Sequence, residues 1–248
     1  MKKNVSYRLL PCLPLICGCI ALMLRQALYT MLNQSGLLPY RHPLYLATLI
    51  LAAATAILVG CFVFRLKGER DYETNFPRSK AAALGSVLAG ICLVFTVLSI
   101  RKTLAMVMPL DNIWMILGLA AAISLISAGY FLWAGKRVPF LQSFVVCLYF
   151  ALHMICRYRE WSGNPQTEDY IFAIFACICL AMFSYQRTAF CTGLGQRRML
   201  LFFGLMALFF CPSMLLGSND TLFYLAGTIW AATNLCTIDP PQTKSKEE

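Results

Sequence analysis

The chain has 248 residues, of which 59% are hydrophobic and only 13% charged, with a formal net charge of +10. A soluble domain carries about 25% charged residues, so this composition argues against an ordinary soluble protein. The deficit is gathered into uncharged runs of about 18 residues or more, the length that crosses a bilayer as a helix. A transmembrane barrel would alternate apolar and polar residues along short strands, and a run such as LATLILAAATAILVGCFVF (46–64) alternates nothing.

The fold class read from this pattern is all-α: a polytopic membrane bundle, one membrane domain over 1–248, with eight spans near 9–31, 43–65, 81–100, 112–134, 139–157, 169–187, 199–217 and 221–238. Lys2, Lys3 and Arg8 ahead of the first span resemble the basic start of a signal peptide. No small-x-small cleavage site follows. ICGC (16–19) is a faint match to a lipoprotein processing site, interrupted by Pro11 and Pro14. An uncleaved first span is expected.

Between spans four and five, AGKRVPF (134–140) offers Gly135 as a helix stop and Pro139 as a first helical residue. TGLGQRR (192–198) reads as another helix stop. The longer loops are 67–80 and 157–169. The first, with Tyr72 and Phe76, suits either an interfacial anchor or a docking site for a soluble partner. The second suits a connector or a lid. Asn33-Gln34-Ser35 matches a short glycosylation sequon. No residue pattern recurs well enough between the two halves to mark a 4 + 4 repeat.

Orientation follows from Lys and Arg. With the N-terminus inside, the outer segments hold Arg41, Arg101, Lys102, Arg157 and Arg159, span one holds Arg25, and the remaining 15 of the 21 basic residues are inner. Both termini are therefore expected in the cytoplasm and the chain in the plasma membrane. The outer acids, Asp111, Glu160, Glu168, Asp169 and Asp220, balance the five outer cations, so the basic excess lies inside. That excess sets topology and touches anionic lipid; no nucleic-acid partner is needed to explain it.

Small residues let membrane helices approach. Ala52, Ala56 and Gly60; Ala81, Gly85 and Ala89; Ala82, Ser86 and Gly90; and Ala120, Ser124 and Ala128 form rows at intervals of four. They predict a tight bundle of spans two to four. The aromatic runs FVVCLYF (144–150) and LLFFGLMALFF (200–210) are expected to face lipid. The twelve cysteines lie in or beside apolar runs, with no CxxC, and read as small hydrophobes.

No HExxH, GxSxG or P-loop occurs, and no cofactor or metal is implied. No carboxylate lies deep in a span, which argues against a transporter coupled to ions or protons through such a group. One candidate site remains. Arg25 lies about 8 Å outward of the first span's centre, at 1.5 Å per residue. It can snorkel to the outer interface or face inward. His153 in span five has a similar depth, Arg157 lies one turn above it, and Pro212 disturbs span seven. Facing inward, Arg25, His153 and Arg157 beside the Pro212 kink would bind a carboxylate or phosphate. The expected function is thus binding or transport of a small anionic ligand from the outer side. The competing expectation is a non-catalytic accessory or regulatory subunit acting through helix faces and the 67–80 loop on a membrane or cytoplasmic partner.

Overall fold

A computed structural model describes residues 10–31, 42–66, 72–103, 109–162, 170–216 and 220–238. The Asn33 sequon, loop residues 67–71 and 163–169, and both chain ends lie outside that set. The described residues form helices only: α1 (Cys12–Tyr29), α2 (Pro43–Phe64), the single turn α3 (Tyr72–Asn75), α4 (Lys80–Thr103), α5 (Pro109–Trp133), α6 (Phe140–Trp161), α7 (Ile171–Cys191), α8 (Arg197–Ser213) and α9 (Thr221–Leu235).

The boundaries follow local chemistry. Pro43 opens α2, where its missing N–H costs nothing, and His42 caps the helix by accepting the Leu44 N–H on Nδ1 at 3.3 Å. Gly135 stops α5 at φ +69°. Lys136 N–H there reaches back to the Phe131 carbonyl at 2.8 Å and Gly135 N–H to Leu132 at 3.2 Å, the paired bonds of a left-handed helix end. Gly193 ends α7 in the same way at φ +75°. Pro139, expected as the first helical residue, is instead the extended residue just ahead of α6, which starts at Phe140.

Six helices are long and apolar enough to cross a membrane. The other two long ones, α8 and α9, have 17 and 15 residues, fewer than the about 20 that an untilted span needs. They are also among the most enclosed. Helix α8 is buried from Leu205 through Ser213 and packs on α1, α2, α7 and α9.

The packing closes on itself. Helix α4 lies beside α5, α5 beside α6, and so on through α7, α8 and α9, which returns to α4. Helices α1 and α2 stand outside this ring of six, against α8 and each other.

Two packing expectations change. LLFFGLMALFF does not face lipid: Leu205 to Phe210 are core residues. FVVCLYF is split, with Val146, Tyr149 and Phe150 in the core and Phe144 and Leu148 exposed. Lipid and protein interior are equally apolar, so aromatic content alone does not choose between them. The small-residue rows do join α4 to α5. A Cβ on Gly90 would meet the Ala122 carbonyl at 2.8 Å, and one on Gly129 the Ala83 carbonyl at 2.8 Å. Helix α2, however, packs on α1 and α8 instead, where Gly60 lies near Phe202. Cys156, Cys177, Cys179 and Cys211 are buried core residues.

Candidate functional site

The interior of the six-helix ring carries polar groups at both ends. At one end, α6 presents Tyr149, His153 and Arg157 at intervals of four, which puts them on one face. The start of α9 brings Asp220 and Phe223 to that face, and the start of α5 brings Asp111 and Trp114. Arg157 donates through Nη2 to Asp220 Oδ1 and through Nη1 to Glu160 Oε2, the latter at 2.5 Å. Its guanidinium lies 5.1 Å from the Trp114 ring. Arg159 donates to Asp111 at 2.7 Å. Every cation in this cluster thus has a carboxylate. Burial pushes the Asp220 carboxyl above the ordinary carboxylate pKa, while Arg157 pulls it down.

His153 is completely buried. Its ring stacks on Phe223 with centroids 3.8 Å apart and planes 11° from parallel, and Trp114 closes its edge at 5.3 Å. Nε2 stands 3.7 Å from Asp220 Oδ2, too far for a hydrogen bond. Neither imidazole nitrogen has a hydrogen-bond partner among the described residues, and neither does the Tyr149 hydroxyl one turn further in. A buried polar group left unpaired costs about 1–3 kcal/mol.

The opposite end of the ring is arranged differently. Arg187, on α7, is buried. It donates through Nη1 to the side-chain oxygen of Asn234 on α9, and its guanidinium lies over Phe76 at 4.9 Å and Trp230 at 5.2 Å. Among the described residues, no carboxylate pairs with it. Beside it is a cavity of about 10 Å³ whose polar lining is Ser124, Gln142, Ser143, Ser184 and Arg187. That volume holds one water-sized sphere. The Gln142 oxygen there has no hydrogen-bond partner among the described residues.

The turn α3 covers this end. Tyr72 and Phe76 are buried, Phe76 packs edge-on against Phe190 at 5.5 Å, and the Tyr72 hydroxyl accepts the Val138 N–H at 3.3 Å. Burial raises the Tyr72 pKa above the usual phenol value, against the pull of Arg187. These two aromatic rings therefore serve the bundle, not a free docking surface.

The residues grouped by depth do not all meet. His153 and Arg157 share the Asp220 cluster. Arg25 is buried at 3% exposure on α1, where Nη2 donates to the Tyr29 hydroxyl at 2.8 Å and the guanidinium covers Phe172 at 4.9 Å. It faces protein, outside the ring of six. Pro212 is buried in α8, and the backbone around it serves packing. The Leu208 carbonyl, which loses its helical donor to Pro212, lies with that of Phe209 against Gly18 of α1, where a Cβ would come within 3.0 Å and 2.6 Å of the two oxygens.

Sequence reasoning missed Asp220, Asp111, Tyr149, Arg187 and Asn234. The equal number of outer acids and cations was a signal for the first two. For Arg187 the signal was the glycine stop at 193, which extends α7 past it and draws it inside the helix. Comparison with family models, curated proteins and solved structures finds no match for this chain.

Proposed function

We propose that this is an eight-span plasma-membrane protein that binds a small anion inside the six-helix ring and passes it across the bilayer, with both termini and the α3 end in the cytoplasm. The observation that carries the reading is Arg187. A buried charge without a counter-charge costs several kcal/mol, and here the cation, with no carboxylate beside it among the described residues, borders a small cavity whose polar lining includes three serine hydroxyls and an amide. An anion supplies the missing charge, and serine hydroxyls and guanidinium N–H groups are the donors it needs. Polar groups facing a membrane bundle's interior mark substrate paths. His153 and Tyr149, without hydrogen-bond partners among the described residues, extend such a row toward the Asp220 end. The cavity beside Arg187 suits a solute near the size of a halide. Orientation rests on the 15 inner basic residues among 21. Helices α8 and α9 complete their crossings with the residues that flank them.

The test is thermal stability of the purified chain in neutral detergent with chloride, nitrate or formate, against gluconate at equal ionic strength, for the wild type and Arg187→Met. An anion at about 100 times its dissociation constant adds about 2.7 kcal/mol. Stabilisation by at least one small anion, lost in Arg187→Met, supports the site, and anion flux into liposomes then supports passage. No stabilisation by any of them, or equal stabilisation of Arg187→Met, defeats the reading.

A further inference from the structure

The α3 end holds a second opening, separate from the ring interior. A cleft of about 240 Å³ lies between α3 and the α5–α6 connection, lined by Tyr72, Glu73, Phe76, Arg78, Lys136 and Arg137 among others. Among the described residues, three cations face one acid there. The geometry holds them in place. Gly135, in the left-handed conformation, admits the Arg78 stem so closely that a Cβ would lie 3.0 Å from Arg78 Cδ and 3.3 Å from Nε. Arg137 donates to Glu73 at 2.9 Å and covers the Tyr72 ring at 5.6 Å. Tyr72 in turn is fixed to the Val138 backbone. Lys136 and Arg78 are exposed at the rim.

Depth identifies what reaches this cleft. Trp133, the last residue of α5, is 49% exposed, and Lys80, the first of α4, lies over its ring at 5.6 Å. An exposed Trp beside a Lys at a helix end marks the level of lipid headgroups. Basic pockets between helices at that level take phosphate-bearing headgroups, and guanidinium groups match phosphate oxygens in paired hydrogen bonds. The volume falls just below that of a drug-sized pocket, which suits a headgroup or a small phosphate ester.

We infer that the cleft formed by Arg78, Lys136 and Arg137 is a phosphate-binding site for the headgroup of an anionic phospholipid. The same chemistry fits a soluble phosphate monoester. The cations of this cleft are distinct from Arg187 of the proposed anion site, although Phe76 borders both.

The experiment measures binding of the full chain, in neutral detergent, to phosphatidic acid and phosphatidylcholine in mixed micelles, and to glycerol 3-phosphate in solution. Arg78→Gln and Lys136→Gln are each expected to weaken phosphatidic acid binding by about tenfold or more, as expected for loss of a hydrogen bond to a charged group. Glu73→Gln, which removes the only acid among the described lining residues, is expected to tighten it by about fivefold. Arg65→Gln, an exposed cation outside the cleft, is expected to change it less than about twofold. Glycerol 3-phosphate binding as tightly as the lipid assigns the site to a soluble ester; binding by the lipid alone assigns it to the membrane. Equal weakening by Arg65→Gln and Lys136→Gln shows diffuse charge attraction and overturns the site, as does no preference for phosphatidic acid over phosphatidylcholine with no binding of glycerol 3-phosphate. Arg187→Met leaves this binding unchanged, so the two sites stand or fall separately.

Discussion

Arg157 is mostly covered, with 12% of its side chain exposed, and Arg187 is buried; they stand on neighbouring helices, yet they are treated in opposite ways. Arg157 is bound to two carboxylates and backed by Trp114. Arg187 has an amide oxygen, two aromatic faces and a small polar cavity. The first arrangement is self-neutralised and holds α6 to α9. The second leaves charge to be matched by something else. A buried cation therefore marks a binding site only when its counter-charge is missing, and burial by itself does not distinguish a fastener from a site.

Four substitutions break or sharpen this contrast. The largest effect is expected for Asp220→Asn, which strands Arg157 with only the half-exposed Glu160. Loss of one partner of a buried pair costs about 3–5 kcal/mol, and Glu160 holds the loss here near the lower figure. Chemical denaturation in detergent measures it, and a loss under about 1 kcal/mol would mean that the cluster does not fasten the helices. Arg187→Met is expected to move the other way. Without a stabilising anion the variant is between unchanged and about 2 kcal/mol more stable, because an uncompensated buried charge is replaced by an apolar chain of similar length. A large loss of stability in gluconate would show Arg187 to be a fastener as well, and would erase the contrast.

Tyr149→Phe is smaller. Its hydroxyl has no hydrogen-bond partner among the described residues, so removal is expected to change stability by less than about 1 kcal/mol, toward greater stability. A clear loss would place a hydrogen-bonded species on that hydroxyl, which side-chain hydrogen exchange or a high-resolution structure would identify. The smallest change is expected for Glu73→Ala. Its ion pair with Arg137 is exposed on both sides, and such pairs contribute about 0–1 kcal/mol. Thermal stability should be nearly that of the wild type, although phosphatidic acid binding should tighten.

Much of the helical layout was legible. Glycine chemistry located the stops at Gly135 and Gly193, while Pro139, expected as a first helical residue, lies just ahead of its helix. The small-residue rows identified the α4–α5 contact. His153 and Arg157 could be placed together because i and i + 4 share a face. Arg25 could not be joined to them by the same logic. Depth along the membrane normal is one coordinate, and membership of a site also needs the angle around the bundle, which hydropathy does not encode. Asp220 and Asp111 looked like loop acids because they sit at helix starts. Only the docking of α6 showed that they are covered and paired.

Composition and order alone determined that the chain is helical and membrane-like, where its apolar helices run and where its positive charge gathers. The reason is local: segment length, turn chemistry and charge counts involve few residues at a time. Tertiary structure decided that α8 lies inside and α2 outside, that Arg157 meets carboxylates while Arg187, among the described residues, meets none, and that Tyr72 and Phe76 cover the bundle. Those outcomes depend on which apolar faces meet. In a medium as apolar as the protein core, packing shape and buried polar pairing choose among the faces, and neither can be read from one segment at a time.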